Sequence, residues 1–192
     1  MSEPFSRQFS SALRTFFGIA RLRSGPEDLP VSAPLLVLTI VLAIVPDVVR
    51  IVIAPSAEDL PVVLILVLEV AITLLWYGAV LKIARRPERF LQTMTAIFGF
   101  QIILAPAVLL TTWLFQAYAQ DASWQLPAGM AGFALVIWVA TIMVRILRSA
   151  TGWPAFACIV LFLGQQLLTM RVAASLLPPV AAAPAAPAAA AP

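Results

Sequence analysis

Histidine is absent from the chain, and cysteine occurs once, at Cys158. The first absence removes the commonest general base, metal ligand and haem ligand together. The second rules out an intrachain disulfide and any Cys cluster, so Cys158 reads as a small apolar side chain packed in a helix. Charge is scarce as well, since Asp, Glu, Lys and Arg make up 11% of the residues. Lysine is nearly missing, because Lys82 is the one exception among twelve basic residues that are otherwise Arg. There is no HExxH, no Gly-rich phosphate loop and no glycine-flanked nucleophile. These gaps argue against an enzyme, and no metal or cofactor is expected.

What is present is apolar. Hydrophobic residues make up 62% of the 192 positions and the mean hydropathy is +1.00, the signature of an integral membrane protein. The formal charge of +3 would suit nucleic acid only if it were gathered in a soluble domain. It lies instead in short segments between apolar runs, which points to a lipid surface and away from nucleic acid.

Hydropathy predicts five spans, at roughly 31–54, 61–82, 91–117, 127–147 and 153–177, each near the ~20 residues that cross a hydrocarbon core. Asp47 and Arg50 interrupt the first and Arg171 the last, so a four-span reading requires one of these two to be re-entrant. The predicted fold is all-α: a polytopic helical bundle at 31–177, preceded by a cytoplasmic amphipathic segment at 1–30 and followed by an Ala/Pro tail at 178–192. The repeated prolines of that tail favour an extended spacer without a core.

Basic residues set the expected orientation. Arg7, Arg14, Arg21 and Arg23 precede the first span, Lys82, Arg85, Arg86 and Arg89 follow the second, and Arg145 and Arg148 follow the fourth. The alternate loops, "APSAEDLP" and "AYAQDASWQLP", carry acids and no base. Five spans put all three basic segments inside, with the N-terminus cytoplasmic and the C-terminus outside. The Arg-rich, Ala/Pro-rich composition suggests a GC-rich bacterium and its inner membrane.

At 100° per residue, Phe5, Phe9, Leu13, Phe16, Phe17 and Ala20 share a stripe, with Arg7, Arg14 and Arg21 on its flank. Two readings are open. Either the aromatics meet acyl chains and the arginines meet headgroups, or the stripe packs on the protein's own helices.

Glu69 is the residue that most needs a reason. It lies about 12 Å inside the second span at 1.5 Å per residue, where a carboxylate costs on the order of 3 kcal/mol. Gln101 and Gln165 reach a similar depth, and Arg50 and Arg171 sit near the outer ends of their spans. Asp47 and Arg50, three apart, suit a local ion pair. The cluster reads equally as a proton or cation site, with Arg50 or Arg171 adjusting Glu69, and as an interhelical hydrogen-bond network.

A cytoplasmic N-terminal segment, five closely spaced spans, the basic turn "RRPERFLQTMTAIFGF" leading to Pro106, and the Trp-bearing "ALVIWVATIMVRILRSATGW" together resemble the bacterial branch of the Yip1 family of small polytopic membrane proteins. The resemblance covers roughly residues 15–177. It implies a scaffold, assembly or trafficking-type role, and it brings no catalytic residues. The expected partners are the lipid bilayer and other membrane proteins or a second copy. The alternatives are a small transporter or channel subunit using Glu69 and, third, a membrane enzyme of unfamiliar type.

Overall fold

The computed structural model describes residues 5–53, 59–118 and 120–176, with side chains at 10–46, 48, 63–118 and 120–176. The Ala/Pro tail and the side chains of Phe5, Arg7, Phe9, Asp47 and Arg50 lie outside the described residues. Among those described, the elements are helices α1 (Phe5–Ala20), α2 (Ala33–Ile53), α3 (Asp59–Ile83), α4 (Phe90–Ala117), α5 (Ala122–Thr151) and α6 (Ala155–Leu176), with 3-10 turns at Pro26–Asp28 and Pro87–Arg89.

Four helical stretches, rather than the expected five, are long and apolar enough to cross a membrane: Val63–Ile83, Pro87–Ala117, Ala122–Thr151 and Ala155–Leu176. The expected first span is a continuous helix, α2, but its described apolar stretch is only Ala33–Pro46, roughly 21 Å at 1.5 Å per residue. Asp47 follows immediately. The expected last span does form, as Ala155–Leu176, and it accommodates Arg171 near its end.

The bundle is built around α4. Every residue from Thr93 to Phe100 is buried, and half of the most apolar window of this span is enclosed, against 17% for α3 and for α6. α1, α2 and α5 pack on α4, while α6 joins α5 to α3. The outer faces of α3, α5 and α6 carry exposed Leu75, Phe133 and Phe156, which in water would be a large apolar liability and in a bilayer is the lipid-facing surface.

Of the predicted α1 stripe, the structure buries Phe16 and Ala20 and leaves Phe17 exposed. Ala12, Phe16, Ile19 and Ala20 are buried, with Arg14 and Arg21 exposed. Phe16, expected at the acyl boundary, is fully enclosed by protein, and the Trp138 indole N–H donates to the Ala20 carbonyl across to α5 at 3.2 Å. An amphipathic pattern states that one face is apolar. It does not name what covers that face.

Three helices end in left-handed residues at the basic turns. Leu22 (φ 59°) closes α1 with Arg23 N–H donating to the Gly18 carbonyl, and Arg85 (φ 58°) closes α3 with Arg86 N–H donating to Leu81. Gly152 (φ 77°) closes α5 with its N–H donating to Arg148. These bonds satisfy carbonyls that a helix terminus otherwise leaves open.

Two lengths agree on where a membrane fits. Trp113, Tyr118 and Trp124 form an aromatic group at one end, with Tyr118 and Trp124 stacked at 4.8 Å, as at a lipid–water interface. From Trp124 down α5 to exposed Arg145 is roughly 31 Å at 1.5 Å per residue, close to one hydrocarbon thickness.

Candidate functional site

Glu69 lines a cavity of about 180 Å³ between α2, α3 and α4. Pro46 of α2, Thr73 of α3 and Gln101 of α4 share that lining, and the rest is mainly aliphatic or aromatic. Thr73 follows Glu69 by one helical turn on the same face of α3. From α6, the Gln165 amide donates to Thr73 Oγ1 and to Thr169 Oγ1, each at 3.3 Å. Gln165 is 4% exposed and Thr73 also 4%, so this pair lies inside the bundle, where an unpaired amide would be costly.

The structure therefore brings Glu69 and Gln101 to one cavity and links Gln165 to it through Thr73. It does not bring Arg171, which is exposed and absent from that lining. Depth along a helix was readable from residue spacing, but rotation about the helix axis was not. Thr73 was missed because a helical Thr carries little signal alone, although its spacing of four from Glu69 was there to be read. Among the described residues no group of three or more His, Cys, Asp or Glu gathers.

The basic turns converge at the opposite end from the aromatic group. The Arg89 guanidinium donates to the Ser149 carbonyl, and the Arg86 guanidinium lies over Gly152. Gln92 donates to the Leu29 carbonyl at 2.8 Å, tying the α1–α2 connection to the start of α4. Arg145 and Arg148 are exposed on the last turns of α5. Residues scattered along the sequence thus form one cationic end.

Compared with known proteins, the chain matches no family model, no curated protein and no solved structure.

Proposed function

We propose that the protein is a non-enzymatic membrane scaffold or assembly factor that works through helix contacts and a basic cytoplasmic face. The observation that carries this reading is the size of the space beside Glu69. A volume of about 180 Å³ is room for several waters to hydrate a carboxylate, and its lining joins three helices around that group. The polar groups around it interlock helices, and the outer faces of α3 and α6 offer apolar surface to lipid or to neighbouring helices.

The cationic end is the cytoplasmic one in this proposal, following the bias of arginine toward that side, and the membrane is a bacterial inner membrane. α2 rises beside α4 from that end to the Glu69 cavity, and we take it as a fifth crossing element whose last turns carry Asp47 and Arg50. The N-terminus is then inside and the C-terminus outside. The order of these parts also resembles the Yip1 family, which favours the scaffold role.

A second reading, a transporter or channel subunit, is favoured by Glu69 itself, because an ionisable residue at membrane depth is a site until shown otherwise. With so small a cavity, that role would call for several copies around a shared path.

Photocrosslinkers placed in living cells at Leu75 and Phe156, both exposed and apolar, test the scaffold. Discrete protein adducts support it. Labelling of lipid alone at both positions would count against it.

A further inference from the structure

A larger cavity lies away from Glu69. It is a cleft of about 910 Å³ at the cationic end, between the last turns of α5, the start of α6 and the turn after α1. Ile137, Thr141, Val144, Arg145 and Arg148 contribute to its wall, and their spacings place them on one face of α5. The wall changes character along that face. Ile137 and Val144 of α5, with Ile159 of α6, make one end apolar, and Arg145 and Arg148 make the other cationic. From Ile137 to Arg148 the helix rises roughly 16 Å, which straddles the boundary between acyl chains and headgroups fixed by the Trp124–Arg145 span.

The donors on this wall are specific. Thr141 Oγ1 already donates to the Ile137 carbonyl at 2.8 Å and Ser149 Oγ to the Ile146 carbonyl at 3.1 Å. Arg145 and Arg148 make no hydrogen bond or ion pair with a described residue. Two exposed guanidiniums without a partner among the described residues suit a phosphate, which arginine binds through paired N–H groups. Glu27 also lines the cleft and opposes an anion. Its carboxylate is folded back over Gly25.

We propose that this cleft binds one anionic phospholipid, with its phosphate on Arg145 and Arg148 and an acyl chain along Ile137, Val144 and Ile159. The proposal rests on the membrane-spanning reading and is independent of the scaffold role. Shape and charge agree on the occupant: the cleft's apolar arm faces the bilayer core and its cationic arm the headgroup layer.

The test is native mass spectrometry of the full chain in uncharged detergent, titrated with dioleoyl phosphatidylglycerol or dioleoyl phosphatidylcholine. We expect the anionic lipid to bind about tenfold more tightly, a 1.4 kcal/mol preference. Arg145→Gln with Arg148→Gln removes the preference, while Arg21→Gln with Arg23→Gln retains it. Glu27→Gln strengthens binding of the anionic lipid by removing a like charge. Thr141→Trp, which obstructs the apolar arm and leaves both arginines, weakens it; this variant decides the matter if the double arginine variant does not fold. Inorganic phosphate fails to displace the lipid, because the acyl arm contributes to binding. Equal affinity for the two lipids, an unchanged preference in both the double arginine and Thr141→Trp variants, or full displacement by inorganic phosphate would overturn the proposal. So would a cleft closed to lipid by a second copy. None of these results bears on the crosslinking test of the scaffold role.

Discussion

The ring of Phe16 on α1 occupies the space that a Cβ on Gly99 of α4 would fill. This contact seats the N-terminal helix on the bundle, and it requires glycine at position 99 because the ring and the α4 backbone approach too closely for any side chain between them. Phe16 is fully buried at that point.

Phe16→Ala should destabilise the docked α1 by on the order of 3 kcal/mol, the usual cost of emptying a buried aromatic site. Gly99→Leu should expel the ring and have a comparable effect. Hydrogen exchange would show α1 amides losing protection while the α4–α5 core keeps it. Unchanged α1 protection in both variants would mean that the helix is held elsewhere.

Much of this was legible beforehand. The existence of α3 to α6 and the meeting of Glu69 and Gln101 at one cavity follow from residue spacing, as does the apolar character of Phe16 and Ala20 on α1, although α5 runs Ala122–Thr151 where 127–147 was expected. The partner of α1 was not legible, because Phe16 satisfies a helix wheel equally well against acyl chains and against α4. Arg171 was misplaced for a related reason: the count of residues gives its height but not its direction. The first expected span is helical over Ala33–Ile53, but its described apolar stretch stops at Pro46, where most of the following side chains lie outside the described residues. The closing turns were half visible. Gly152 announces a left-handed residue, whereas Leu22 and Arg85 adopt that conformation against their own preference.

That difference predicts opposite signs. Arg85 is exposed at φ 58°, so Arg85→Gly should stabilise the protein by about 1 kcal/mol through relief of the left-handed strain. Gly152→Ala should destabilise it by a similar amount, about 1 kcal/mol, with the Arg86 guanidinium forced to shift. Unfolding in mild detergent with increasing denaturing detergent would measure both.

The α3–α6 link should be weak and specific. Thr73→Val and Gln165→Leu should each cost a few tenths of a kcal/mol beyond any packing change, with a coupling in a double-mutant cycle near 0.6 kcal/mol, the average for such bonds in membranes. A coupling near zero would show that Gln165 is held by Thr169 instead.

Asp121 caps α5 and should give its start a dependence on pH. Its carboxylate accepts from the Ser123 hydroxyl at 2.7 Å and from the Ser123 N–H at 2.9 Å, and these bonds, the side-chain one foremost, hold its pKa below the ordinary carboxylate value. A depressed folded pKa means that the cap contributes above the unfolded value of about 3.9 and is lost as pH falls through the lower folded value. Exchange of the Ser123 amide should accordingly gain an acid-side fraying phase, relative to intrinsic exchange, that Asp121→Asn lacks.

The central claim is that Glu69 serves a structure and not a flux, and proton movement tests it most directly. Purified protein is reconstituted in sealed vesicles with a pH-sensitive dye inside, and a pH step is applied to the wild type, Glu69→Gln and empty vesicles. The account predicts that all three decay alike, with Glu69→Gln folded and monodisperse. A proton flux in the wild type above that of empty vesicles, lost in Glu69→Gln, would contradict it and make the protein a transporter or channel subunit.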